Sequence, residues 1–401
     1  ICSNTNTSSA SSSVITCTRT NSNTGLGNSG YTSSFGLTFP VVHQVNYYDV
    51  YDFRSLTGFT NATYFPVASI SAKGYLTGSV TTILENGVKL YSANYYDIRG
   101  RVTKSVSSNH LGGYETTNTT YTFTGRPLTI QHIHTINNNG VQSGNLTELY
   151  TYTYDHAERV TKTQHALNGK TVTLVTNTYD DWGRLLTKSP HGSSTDKLTY
   201  EYNLRDWLTG IKSSKFSQNL YYNTGNGTVC YNGNISSMIW KCGTESVTRG
   251  YKFTYDGLNR LKSAVYGEGT TISDNTGRFS ENITEYDRNG NIASCQRYGK
   301  ASSTAYGIID NLTIAYNGNQ LKYANDAAAD PLYNGVFNFV NGSNSTGNEY
   351  VFDKNGNLQQ DYNKKVAKVQ YNQLNLPSVL QFINGNRVDY LYDADGIKRL
   401  V

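Results

Sequence analysis

An aromatic residue followed at once by Asp or Asn, with a residue that tolerates positive φ at the fifth position, recurs along most of this chain. It reads YDIRGRV at Tyr96, YTFTGRPL at Tyr121, YDHAERV at Tyr154, YDDWGRLL at Tyr179 and YNLRDWL at Tyr202. The series continues with YDGLNRL at Tyr255, YDRNGNI at Tyr286, FDKNGNL at Phe352, YNQLNLP at Tyr371 and YDADGIK at Tyr392. Two shortened relatives, YNGNIS at Tyr231 and YNGNQL at Tyr316, fall in the gaps. Self-similarity at such spacing marks a repeat array, so the division into domains that length alone would give does not apply.

Each residue type in the motif has a reason. Asp or Asn at the second position can accept a hydrogen bond from the backbone two residues on, which starts a tight turn. The fifth position then takes a left-handed conformation if a type I turn is to close a three-residue hairpin loop with a bulge. It is Gly at 100, 125, 183, 290, 356 and 396, Asn at 259 and 375, Asp at 206 and Glu at 158. All but Glu158 are residues that accept positive φ, and Glu158 predicts local strain or a different turn. The corners are therefore assigned to Tyr96, Asp97, Gly100 and Arg101; Tyr121, Gly125 and Arg126; Tyr154, Asp155 and Arg159; and Tyr179, Asp180, Gly183 and Arg184. The later ones are Tyr255, Asp256, Asn259 and Arg260; Tyr286, Asp287 and Gly290; Phe352, Asp353 and Gly356; and Tyr392, Asp393 and Gly396. Their role is structural, and the motif arginines are expected to pack their stems on neighbouring aromatics.

Around the turns the sequence alternates. In LTYEYNL, Leu198, Tyr200 and Tyr202 would face one way and Thr199 and Glu201 the other, as on a strand with one drier face. The fold class is all-β: tandem hairpins forming a long antiparallel sheet. Ten to twelve units supply roughly 20 strands and a ribbon of roughly 100 Å, which must curl. Residues 1–38 read as a Ser/Thr/Asn-rich irregular lead-in, 39–70 as a short β segment, and 71–401 as the repeat ribbon, continuing beyond both ends.

Composition agrees with strands and turns. Apolar residues make up 37% and charged residues 16%, with Ser, Thr, Asn, Gly and 34 Tyr in their place. A net charge of +5 with scattered Lys and Arg draws no basic stripe, so nucleic acid is not an expected partner. No apolar run is long enough to span a membrane. The five cysteines are too dispersed for a disulfide scaffold; bridges Cys2–Cys17 and Cys230–Cys242 stand beside the favoured reading of unpaired thiols.

Several patterns imitate functional motifs. Gly25, Gly27 and Gly30 match GxGxxG without the strand and helix a dinucleotide site needs, so no cofactor is expected. The segments starting at Asp287 and Asp353 resemble calcium loops, but Tyr298 and Lys364 stand where a bidentate Glu belongs. His132 and His134 would share a strand face, with no third metal ligand apparent. No acid, base and nucleophile converge, so neither a catalytic nor a metal site is assigned and the chain is not read as an enzyme. Asn-x-Ser/Thr sequons, Asn118, Asn145 and Asn311 among them, follow from composition.

The many in-register YDxxGR units resemble the RHS/YD-repeat family of bacterial polymorphic toxins, insecticidal toxin complexes and animal teneurins. The likeness covers about residues 71–401, and KGYLTGSV and YNLRDWLTGI look particularly like RHS proteins of Bacteroidetes. The resemblance implies a strip of hairpins wound into a hollow shell around a C-terminal toxin or effector of the same longer chain, in a secreted or cell-surface protein. No protease or toxin residue carries over, since the core segment that supplies them in the family is not recognisable here and Asp330-Pro331 lacks its surroundings. The alternative is an extracellular carbohydrate-binding or adhesion module using exposed aromatics such as Trp182 and Trp207.

Overall fold

The computed structural model describes residues 16–20, 25–36, 40–68, 70–138, 141–332, 335–342 and 347–401. Cys2 and most of the lead-in lie outside the described residues. The architecture is all-β, with two short 3-10 helices at Leu26–Asn28 and Asp52–Ser55. Twenty strands, from Gln44–Asp49 to Gln320–Asp326, run as antiparallel sheet in which each strand within a unit pairs with its sequence neighbour. The chain divides into two compact units: Ile1–Tyr152 with Gln164–Thr171 and Tyr390–Val401, and Thr153–Thr163 with Val172–Asp389.

The first unit carries the densest core. In its strands Ala72–Thr82, Lys89–Tyr96 and Val102–Ser108, register places Gly78, Ala93 and Val106 side by side on one face. That face is covered by the segment after Gln44–Asp49, whose Phe53, Leu56, Phe59 and Phe65 are buried together with Tyr47 and Tyr95. The rings of Phe53 and Phe59 sit 4.7 Å apart edge to face, and Tyr51 stacks on Tyr95 at 5.2 Å. A Cβ on Gly78 would come within 2.4 Å of the Phe53 ring, so this strand needs a residue without a side chain there. Each fully buried Phe contributes about 1.5–3 kcal/mol by removal from water. Burial pushes the Tyr95 hydroxyl up to about 12, so it stays a neutral donor, to Pro66 O at 3.0 Å.

Two terminal pieces close onto this unit. Cys17–Arg19 pairs with Tyr31–Ser33, and the buried Tyr47 hydroxyl donates to Ser29 O at 2.8 Å. At the other end, the last hairpin docks on the end of Ala72–Thr82. Asp393 bridges to Ile83, Leu84 N–H donates to Tyr392 O at 2.8 Å, and Ala394 N–H donates to Thr82 O at 3.0 Å. The Glu85 carboxylate accepts from Tyr392 N–H at 2.8 Å, across 307 residues of sequence. Ile83 is thereby fully buried.

The second unit continues hairpin by hairpin through Gln320–Asp326, followed by a five-stranded sheet from Tyr350–Phe352 to Arg387–Asp389. The expected drier face is found in Leu185–Pro190, where Leu186 and Lys188 are exposed between half-buried neighbours, and in Leu261–Glu268, where Ala264 and Tyr266 are buried, but not in every strand. Every residue of Phe216–Tyr221 is half-buried, as are all but Gly299 in Ile292–Lys300. In Leu198–Tyr202 the tyrosines are half-buried and Glu201 exposed, but Thr199 is half-buried like the tyrosines. A sandwich layer would leave alternate positions fully buried; Phe216–Tyr221 and Ile292–Lys300 instead are half-buried on both faces.

Candidate functional site: the clasped hairpin corners

The corners share one construction. At Tyr96, the strand ends in a register shift and Asp97 opens the loop. Asp97 Oδ1 accepts from the backbone N–H of Arg99 at 2.8 Å and of Arg101 at 3.0 Å, while its N–H donates to Arg101 O at 3.0 Å. Asp97 Oδ2 accepts from Arg101 Nε at 2.7 Å. The carboxylate thus serves the turn with one oxygen and the arginine four residues on with the other. Asp155–Arg159, Asp180–Arg184 and Asp256–Arg260 repeat this, with Nε to Oδ2 at 2.7, 2.7 and 2.6 Å. Where Arg is replaced, Asn291 and Asn357 donate to Asp287 and Asp353 at 2.8 and 3.0 Å. At Tyr121 the second residue is Thr122, whose hydroxyl accepts from Arg126 N–H at 3.0 Å.

All ten corner positions have positive φ: 75° at Gly100, 99° at Gly125, 86° at Gly183, 88° at Gly290, 85° at Gly356 and 81° at Gly396. Asn259, Asn375 and Asp206 take 62°, 63° and 61°. Glu158 takes 61° and makes the same turn, its N–H donating to Asp155 O at 3.0 Å. Strain is accepted there and the turn type is kept. These bonds set the acidity of the aspartates. The Arg159 backbone N–H, then its guanidinium and the Ala157 N–H, outweigh burial and hold Asp155 below the ordinary carboxylate range. Asp256 is lowered in the same way by the Arg260 backbone N–H first.

At eight motif tyrosines the hydroxyl ties a hairpin to the one before it. Tyr121 donates to Val102 O at 2.7 Å, Tyr179 to Val160 O at 2.9 Å, Tyr202 to Leu185 O at 3.0 Å, and Tyr286 to Leu261 O at 2.6 Å. In each case the acceptor is the residue after the preceding motif arginine, and that guanidinium lies over the tyrosine ring, at 4.7, 4.7, 4.8 and 4.2 Å from its centre. Tyr96, Tyr255, Tyr316 and Tyr371 make the same bond to Leu76, Ile235, Ile292 and Leu358. Asp holds Arg, Arg caps the next Tyr, and Tyr returns a proton donor to the strand that Arg began.

In the interval after Trp207 the clasp is made by another residue. Tyr222, next to Asn223, donates to Leu208 O at 2.9 Å with the Trp207 ring 4.9 Å away, and Tyr231 of YNGNIS stands exposed. The aromatic–Asn pair at 222–223 was the sequence signal for this.

Elsewhere, His134 Nδ1 and His132 Nε2 both reach Glu115, on the adjacent strand, at 2.6 and 3.1 Å. Among the described residues no group of three or more His, Cys, Asp or Glu is arranged to hold a metal. Gly25–Gly30 form a short turn beside Tyr31–Ser33, with no helix beyond the single 3-10 turn. Cys17, Cys230, Cys242 and Cys295 are free thiols.

No family model and no curated protein matches the chain. Among solved structures, it is similar to TcdB2-TccC3 without its hypervariable C-terminal region, at 14% identity over 93% of this chain and 22% of that one, TM-score 0.43. It is also similar to the Photorhabdus luminescens Tc holotoxin pore carrying a TccC3 point mutation, at 13% identity over 96% of this chain and 22% of that one, TM-score 0.46. A porin-like protein from Bacteroides uniformis aligns at 12% identity over 55% of this chain and 89% of that one, TM-score 0.19. The chain thus spans about a fifth of the two toxin chains.

Proposed function

We propose that this chain is wall: a segment of an extracellular, secreted or bacterial-surface shell that winds around a C-terminal toxin or effector of the same longer protein and aids its delivery to competing bacteria. The observation that carries this reading is that strands such as Phe216–Tyr221 and Ile292–Lys300 are half-buried on both faces, in a sheet clasped hairpin to hairpin at its corners. A fold built around its own core buries one face of each sheet; a partition needs two accessible ones. The clasp supplies lateral strength at the corners, where ring, guanidinium and hydroxyl come together at Tyr121, Tyr179, Tyr202 and Tyr286 and the hydroxyl bond alone recurs at Tyr255, Tyr316 and Tyr371. The RHS/YD-repeat resemblance of the motifs supports the same assignment, and no chemical step is required of any corner residue.

The test is protection. In the complete gene product, the segment following Val401 is expected to resist added protease while the wall is intact and to be degraded when several clasp tyrosines are replaced by Ala. Equal digestion in both proteins would remove the basis for an enclosing role.

A second reading, adhesion to cell-surface glycans, is favoured by the exposure of Trp182, 78%, and Phe123, 82%, at corner tips, whereas Trp207 is half-buried against Tyr222 and offers no such tip. A glycan array with Trp182→Ala as the comparison decides it, retained binding in that variant counting against these tips.

A further inference from the structure

The stretch after Trp207 holds a feature that the wall does not use. From Asn223 to Ser236 the chain forms no strand. Because Tyr222 has taken the clasp, the motif tyrosine of YNGNIS, Tyr231, is left with its ring 66% exposed, and its hydroxyl engages no group among the described residues. Its backbone is nevertheless fixed. The Arg205 guanidinium donates to Tyr231 O at 2.8 Å, and a Cβ on Gly233 would lie 3.4 Å from the Trp207 ring. Asn232 and Asn234 both donate their side-chain amides to Asn259 Oδ1, at 2.7 and 3.3 Å.

Beside this ring lies an open groove of about 580 Å³, lined by Thr228, Cys230, Tyr231, Asn232, Asn234 and Asn259 among others, with no charged side chain in its lining. That size falls in the range of small-molecule sites. The amide pairing just described leaves Asn234 Oδ1 and the Asn259 Nδ2 protons without a partner among the described residues, one acceptor and one two-proton donor at the same groove. A charged ligand such as a phosphate or an acidic sugar would find no counter-charge here. A flat ring with one apolar face and several hydroxyls would find an aromatic platform, an acceptor and a donor.

We propose that this groove binds a neutral saccharide, its C–H face on the Tyr231 ring and its hydroxyls on Asn234 Oδ1 and Asn259 Nδ2. The site does not depend on the shell reading: a wall segment without cargo would carry it equally. The structure also explains why this interval can spare its motif tyrosine, since Tyr222 does the structural work.

The experiment uses the full chain with glucose, galactose, N-acetylglucosamine and lactose as probes, read by saturation-transfer NMR and titration. At least one is expected to bind saturably. Tyr231→Ala and Asn259→Gly, which keeps the left-handed corner, should each weaken that binding about tenfold or more, while Ile98→Ala at the exposed tip of another corner leaves it unchanged. The bound sugar should slow maleimide modification of the half-buried Cys230 and leave the exposed Cys242 unaffected. Amide exchange of both groove variants, matching the parent outside the loop, shows that they are folded. Failure of all four sugars to saturate, or parental affinity in Tyr231→Ala, overturns the proposal. Binding of a Leu/Tyr-rich peptide in place of the sugars would overturn it too, and would make the groove a protein-docking site.

Discussion

Deleting one hydroxyl, that of Tyr286, measures what the clasp contributes. The Tyr286 O–H donates to Leu261 O at 2.6 Å, and the Arg260 guanidinium sits 4.2 Å from the ring centre. Tyr286→Phe removes the first contact and keeps the second. A half-buried hydroxyl-to-carbonyl bond is worth about 0.5–1.5 kcal/mol net, so a loss of about 1 kcal/mol is expected, while the cation–π contact, about 0.5–1 kcal/mol, remains. Tyr286→Ala should lose both and the packing of the ring, about 2–3 kcal/mol in total. Native-state hydrogen exchange followed by mass spectrometry reads this locally: 1 kcal/mol is about a fivefold rise in exchange for the amides of Arg249–Tyr255 and Leu261–Glu268, the hairpin that Tyr286 clasps. The internal control is Tyr231→Phe, which removes a motif hydroxyl that clasps nothing and should leave exchange unchanged. If Tyr286→Phe exchanges like the parent, or if Tyr231→Phe is as damaging, the hydroxyl ladder is not what ties successive hairpins together.

Other consequences are accessible to simpler measurements. Glu158→Gly relieves a side chain held at φ 61° and should raise stability by about 1 kcal/mol in urea unfolding. Ile83→Ala opens a cavity under the docked C-terminal hairpin and should cost about 2–4 kcal/mol, with new protease cleavage near 82–86. The corner aspartates, Asp155, Asp256 and Asp353 among them, are held below their ordinary value of 3.8 in the fold. A carboxylate depressed by folding stabilises the fold above its unfolded value and ceases to do so as pH falls through its folded value. The urea midpoint should therefore be flat down to about pH 4 and then fall, and replacing several of these residues by Asn should flatten the drop.

The corners were legible because a left-handed φ is a local property: Gly100, Gly183 and Asn259 announce it whatever surrounds them. The use of Asp97 and Asp155 as turn formers was legible for the same reason. Their second task, holding Arg101 and Arg159, could have been found from the fixed spacing of four. The acceptor of each tyrosine hydroxyl could not, because it is a backbone carbonyl with no residue signature. Tyr231 and Tyr222 show the limit of a motif: YNGN is the better pattern match, but the strand register puts Tyr222 next to Leu208 O. The docking of Tyr390–Val401 beside Thr82–Glu85 was hidden by 307 residues of separation. The buried aromatic cover over the first unit was hidden because Phe53, Phe59 and Phe65 stand six apart with Ser55, Thr57, Asn61 and Thr63 at the alternate positions between them, so no continuous apolar stripe of strand or helix appears.

The most direct test of the wall assignment is a cryo-electron-microscopy map of the complete gene product. The account predicts hairpins of this sequence bordering a lumen, with solvent on one face of the sheet and cargo density on the other. A solid interior, with both faces of Phe216–Tyr221 and Ile292–Lys300 packed under further layers of the same protein, would contradict it.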